Sequence, residues 1–179
     1  MLRVFVWVML AALGTPVWAT TLQQLSLDTI IQKSTAIVRG RAQPATTVVR
    51  GSIIYSHFKI QVSEVWKGSL STQIDAAVPG GVLDGKQQTY AGSPIFADGQ
   101  EYVFFLWTSR PGLTQIIGLS QGLFTLTPAS NGTLTVTRNA SPVRMLDAAG
   151  NQVTDTSFTM LLTDFKQKVT NTLSERAAK

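Results

Sequence analysis

The chain has no cysteine in its 179 residues and only one histidine, His57. The first absence removes disulfides, thiolate metal sites, cysteine nucleophiles and thiol redox chemistry together. The second removes any zinc site built from several imidazoles. A Ser-His-Asp arrangement would have to use His57, and no G-x-S-x-G elbow presents a serine to it. Asp75, Asp84, Asp98 and Glu101 fall near loops and strand ends, with no spacing that pairs them for glycoside hydrolysis. There is no internal repeat, no low-complexity tract and no linker that would divide the chain. These absences lead to an expectation of no metal, no cofactor and no enzymatic activity.

What is present begins with a leader. Met1-Leu2-Arg3 is a short cationic start, Val4 to Leu13 is continuously apolar, and Gly14-Thr15-Pro16 breaks the run before Val17-Trp18-Ala19. Small residues at the positions a signal peptidase reads predict cleavage after Ala19, so that residues 1–19 are a signal peptide. The apolar run is short of the roughly 20 residues a spanning helix needs, so no stable membrane anchor is expected. The protein is therefore expected to be exported, to the periplasm or the medium, as one domain of about 160 residues. Loss of Arg3 lowers the formal net charge from +5 to about +4, spread along the chain and not clustered. A domain of this size without disulfides must hold together by core packing.

Hydrophobic periodicity supplies the elements. Ser26 can cap a short helix over 27–33, with Asp28 in its first turn and Lys33 in its last. Residues 36–42 alternate as a half-buried strand, with Arg39 and Arg41 on the polar side and Gly40 marking a bend or a close backbone approach. Residues 53–66 form a long strand in which Ile54, Phe58, Ile60 and Val62 oppose Tyr55, His57, Lys59 and Gln61; the alternation breaks near Ser63, where a bulge is expected. Further strands are read at 72–78, 101–108, 114–119, 122–127 and 133–138, the last pair joined by a two-residue turn at Asn131-Gly132. The strand around Val103-Phe-Phe-Leu-Trp107 is apolar on both faces and belongs in mid-sheet. Phe58, Ile60, Val62, Val103, Phe105 and Phe124 are expected to share one core. Phe158, Leu161, Leu162, Phe165, Val169 and Leu173 recur at helical spacing, predicting an amphipathic helix from about Ser157 to Glu175. The fold expected is mainly β: a small antiparallel OB-like Greek-key barrel over residues 20–155, with a short N-terminal helix, and a C-terminal helical segment over 156–179 packed on it.

The stretch VPGGVLDGKQQTY, Val78 to Tyr90, matches the phosphate-loop spacing G-x-x-x-x-G-K from Gly80 to Lys86. Gln87 stands where a magnesium-binding hydroxyl is required, and the residues after it have no helical pattern to supply amides to a phosphate. No nucleotide is expected. Pro79, Gly80, Gly81, Gly85 and Lys86 are instead read as a flexible rim loop that contacts a partner. An alternative surface is the outer strand face of Arg39, Arg41, Tyr55, His57 and Lys59, a basic and aromatic pattern that would suit a polysaccharide or, less well, a nucleic acid.

Three segments carry a resemblance. Ser34-Thr-Ala-Ile-Val-Arg-Gly-Arg-Ala42, Phe58-Lys-Ile-Gln-Val-Ser-Glu-Val-Trp-Lys-Gly68 and Gly99-Gln-Glu-Tyr-Val-Phe-Phe-Leu106 are similar to strands of netrin-like modules, the OB-fold domain of the tissue inhibitors of metalloproteinases. With Pro79-Gly-Gly81 and Gly118-Leu-Ser-Gln-Gly-Leu-Phe124 the run also resembles a set of uncharacterised exported bacterial proteins. The resemblance implies an OB-like barrel that binds a protein partner, an exported or envelope protein, with a protease among the candidates. Those inhibitors chelate zinc through an N-terminal cysteine; this chain has none, so that mechanism does not carry over.

Overall fold

The computed structural model of the chain describes residues 21–129 and 131–177. The leader expected at residues 1–19 lies outside them. The first elements are β1 (Thr21–Gln23), α1 (Leu27–Lys33), β2 (Ala36–Arg50), β3 (Ile53–Lys67), β4 (Gln73–Pro79), β5 (Gly81–Leu83), β6 (Lys86–Gln88) and β7 (Tyr102–Thr108). There follow β8 (Thr114–Ile116), a 3-10 turn (Leu119–Gly122), β9 (Leu123–Pro128), β10 (Leu134–Arg138), β11 (Arg144–Leu146), β12 (Gln152–Val153), β13 (Phe158–Leu161) and α2 (Leu162–Ala177).

The long antiparallel pair β2–β3 is the frame of the molecule. Its register skips Ala45 on β2 and Ser63 and Trp66 on β3, so the strands bend where the alternation of apolar residues breaks. Gly40 sits opposite the Ser63 bulge, and a Cβ there would lie 2.3 Å from the carbonyl oxygen of Gln61; only glycine allows the two backbones to come so close. β4 continues the meander beside β3, and β7 returns along the free edge of β2. β8 then pairs antiparallel with β7 and, at Ala77 and Gln115, parallel with β4, closing a barrel of five strands. The expected all-antiparallel arrangement fails at this one seam, for a reason of parity. Strand directions cannot alternate all the way round a closed ring with an odd number of members.

One edge of β7 is shared by two strands. β8 takes its C-terminal half and β9 its N-terminal half. Between them the chain breaks at Gly118, φ +64°, and Leu119, φ +58°. A Cβ on Gly122 would lie 2.6 Å from the carbonyl oxygen of Ile117, so the break is tight. The buried Gln121 holds it: its Oε1 accepts from Leu25 N at 2.8 Å and its Nε2 donates to Gln23 O at 3.0 Å. β8 thus turns in to close the barrel, and β9 turns away to carry β10 and β13. β1 pairs parallel with β11, and β12 adds to β11 in a separate small sheet.

The expected single core is two. Val38, Ile60, Tyr102, Phe104, Leu106 and Ile116, with Phe58 and Val62 packed against them, fill the barrel. Val103, Phe105 and Phe124 point to the opposite face of the sheet and meet Ile30 and Ile31 of α1 and Phe165 and Val169 of α2. Because successive side chains of a strand alternate in direction, β7 serves both cores. Phe165 anchors the second, with rings of Phe105, Phe124, Phe158 and Trp66 around it at centroid distances of 4.9 to 6.1 Å. Asp28 of α1 pairs with Lys168 of α2 at 2.7 Å, tying the helices together.

Two local readings are corrected. The C-terminal helix begins at Leu162, and Phe158–Leu161 is strand β13 against β10. Phe158 and Met160 pack on the core while Leu161 is exposed. A period of two was hidden inside a pattern that also fits helical spacing. The β9–β10 pairing ends at Pro128 and Leu134, so the connection at Asn131-Gly132 is longer than two residues. Ser26 does cap α1, accepting from Thr29 N at 3.2 Å.

Candidate functional site

The stretch that matches a phosphate loop is a β-hairpin. Leu83 pairs with Lys86 across Asp84, φ +49°, and Gly85, φ +73°. Two left-handed residues between paired strands make the type I′ turn that Asp-Gly sequences favour. Strand β6 begins at the lysine, where a phosphate loop needs a helix N-terminus. Asp-Gly is itself a hairpin signal, and the competing loop pattern around it obscured that signal.

The hairpin is folded onto the barrel mouth by a series of specific bonds. β4 ends at Pro79, and Gly80 N donates to Ile54 O at 2.8 Å. Ser56 Oγ donates to Gly80 O at 2.8 Å, and Ser93 Oγ donates to Pro79 O at 2.7 Å. Gln88 accepts from Ile54 N at 2.7 Å and donates to Ser52 O at 2.8 Å. Gly81, φ +139°, passes so near β3 that a Cβ would lie 2.4 Å from Ser56 Oγ. The rim expected to be a flexible loop is therefore a pinned one. Flexibility was inferred from glycine density, but these glycines serve close approach and positive φ.

Behind this rim lies a cleft of about 290 Å3, floored by Phe58 and Val78 and walled by Pro79, Gly80, Gly81, Tyr90, Pro94 and Ile95. Among the described residues, no charged side chain lines it. Val82 and Ile95, 60% and 88% exposed, stand at its lips. Of the five residues predicted for partner contact, Pro79, Gly80 and Gly81 line the cleft; Gly85 and Lys86 sit at the hairpin tip, outside the lining.

The alternative face is brought together but internally neutralised. Arg39 Nη2 donates to Glu101 at 2.7 Å, and Arg41 lies 3.9 Å from the same carboxylate while its Nε donates to Gly99 O. Asp75 accepts from His57 Nδ1 at 2.5 Å and from Lys59 Nζ at 2.9 Å. Burial pushes the Asp75 carboxyl up, but the bonds from Lys59 and His57 outweigh it and hold the group below the usual range. Glu101 behaves the same way: burial raises it, and Arg39 and Ser63 bring it down further. Tyr55 shares the phase of His57 on β3 and is half-buried.

His57 was expected to be exposed, yet its side chain is only 14% so. Its Nε2 is buried and has no partner, so no serine hydroxyl completes a triad there. Among the described residues, no group of three or more His, Asp or Glu is placed to hold a metal ion. No protein family, no curated protein and no solved structure matches this chain.

Proposed function

We propose that the chain is an exported, non-enzymatic binding module built on an OB-like, netrin-like barrel, and that it recognises a protein partner through the rim cleft. The OB-like reading draws support from strand order. β2, β3 and β4 follow one another, and the next barrel strand, β7, returns to lie beside β2, which is the Greek-key arrangement.

The observation that carries the function is the cleft itself, uncharged along its described lining and flanked by the exposed Val82 and Ile95. Apolar side chains exposed around a concavity are what a partner's apolar residue covers. The bonds from Ser56, Gln88 and Ser93 hold this surface in place before binding, which lowers the ordering cost of association. The outer-face reading as a polysaccharide or nucleic-acid surface is the weaker one, because each of its cations already faces a carboxylate. An exported protease is one partner class that the resemblance implies.

The test is crosslinking with a photoreactive residue at position 95 in cells, with the captured proteins identified by mass spectrometry and the N-terminus of the exported chain sequenced. The expected result is a chain starting at Thr20 and one dominant crosslinked protein, lost with Val82→Glu and retained with Lys59→Glu. Capture that survives Val82→Glu and disappears with Lys59→Glu would move the site to the outer face.

A further inference from the structure

The β9–β10 connection carries chemistry that neither the cores nor the rim cleft uses. Its tip, Asn131-Gly132-Thr133, is exposed and stands beyond the last pair of the two strands, Pro128 and Leu134. Asn131 Oδ1 accepts from Thr133 N at 3.1 Å and from Thr133 Oγ1 at 2.7 Å. A backbone N–H can donate only to the oxygen of a carboxamide, so the first bond fixes which side-chain atom is Oδ1. Together the two bonds fold the carboxamide back along the Asn131–Gly132 peptide. They also aim two donors at the oxygen on which charge grows when Cγ is attacked.

The atom placed to attack is the nitrogen of Gly132. With Cγ, Cβ, Cα and the carbonyl carbon of Asn131 it closes a five-membered ring. Gly132 leaves the approach open, with φ +80° and nothing within 4 Å of where a Cβ would lie. One bond opposes the step: Gly132 N donates to Ala129 O at 2.9 Å. It is a single turn bond at an exposed tip, and such bonds open far more readily than a sheet. The other asparagines are placed differently. Asn139 precedes Ala140, and Asn171 lies within α2 and precedes Thr172. Asn151 precedes Gln152 and donates to the Asp147 carboxylate at 3.1 Å, whose charge opposes a developing oxyanion. Asp84-Gly85 and Asp98-Gly99 share the spacing, but a carboxylate resists nucleophilic attack.

We infer that Asn131 is a site of self-modification that converts to aspartate and isoaspartate in the folded protein, with Thr133 positioning its carboxamide. Solvent base removes the Gly132 amide proton and the nitrogen attacks Cγ. The new N–C bond forms, the Cγ–Nδ2 bond breaks, and the leaving nitrogen takes a proton from water and departs as ammonia. Water then adds to either carbonyl of the resulting succinimide, giving aspartate or isoaspartate. The product carries one more carboxylate, which lowers the formal net charge of +5 by one. The isoaspartate form routes the main chain through the β-carbon, at a tip outside the β9–β10 pairs.

The experiment is incubation of the purified protein at about pH 6, 7 and 8, with peptide mapping by mass spectrometry and enzymatic methyl labelling of isoaspartate. Conversion is expected first at Asn131, about tenfold faster than at Asn139, where the Ala140 side chain crowds the attack. Its rate should rise with hydroxide, and both products should form. Thr133→Val, which removes one donor to Oδ1, should slow conversion several-fold in the folded protein, and Thr133→Ser should keep the original rate. Neither should matter in concentrated urea, where the bonds to Oδ1 are lost. Asn131→Gln should abolish conversion and leave the urea midpoint in place. An Asn131 that stays intact in the folded protein, conversion led by Asn139, or equal rates for Thr133→Val and the unaltered chain would each overturn the inference.

Discussion

Gly40 and Gly85 show how one residue type answers two demands. At Gly40 the constraint is another backbone: the missing Cβ would lie 2.3 Å from Gln61 O, which cannot swing away. At Gly85 the space is open and only φ, +73°, matters. Gly40→Ala is therefore expected to cost about 3 kcal/mol, the scale of an overpacked interior site. Gly85→Ala should cost about 1 kcal/mol, the strain of a left-handed alanine. Urea denaturation of the two variants measures both; the reverse order would mean that the Gly40 bulge relaxes freely.

At the scale of elements, β7 is the hinge of the architecture. It is paired with β2 on one edge and with β8 and β9 on the other, and it sends alternate side chains into separate cores. Phe104→Ala and Phe105→Ala should each cost about 3–5 kcal/mol, since both side chains are wholly buried. Their local consequences should differ. Phe105→Ala removes the ring against Phe165 and should raise hydrogen exchange across α2, whereas Phe104→Ala should raise it across β2 and β3 and leave α2 protected. Identical exchange patterns would show that the two cores act as one. The outer end of the same strand, Trp107, is what the sequence pattern misread. An apolar residue at the end of a both-faces-apolar strand reads as core, and whether a helix covers it depends on where that helix stops.

For the whole molecule, stability without disulfides makes pH dependence informative. Asp75, Glu101, Glu64 and Asp155 are each pushed up by burial and pulled further down by partners: Lys59 and His57, Arg39 and Ser63, Lys166, and Arg138 with the Ser141 amide. Carboxylates whose folded pKa lies below the unfolded value stabilise the fold fully above the unfolded value, about 4, and lose that stabilisation as pH falls through the folded one. The midpoint of thermal unfolding should hold steady from about pH 6 to 5 and drop below about pH 4. Arg138→Gln, which removes the partner of the nearly buried Asp155, should flatten that acid limb while lowering stability at pH 7. An acid limb unchanged in this variant would place the titrating groups elsewhere.

Local chemistry was legible from residue order. The Ser26 cap, the alternation along β3, the bulge near Ser63, the close approach at Gly40 and the two-faced β7 all follow from patterns that span a few residues, because their causes are equally local. The segments Lys67-Gly68 and Gly118 to Phe124 stand out as motifs in the sequence, but nothing local to them states their roles. Lys67 closes the carbonyl end of α1, and the second segment breaks one strand into β8 and β9. Those roles join parts of the chain about as far apart as Lys67 and Ile31 or Gln121 and Gln23. Strand closure by a parallel seam, the division into two cores, the rim pinned by Ser56, Gln88 and Ser93, and the uncovered Trp107 were decided only in three dimensions. Sequence periodicity states which face of an element is apolar; which neighbour covers that face, and how far the cover extends, depends on contacts between segments that no local pattern encodes.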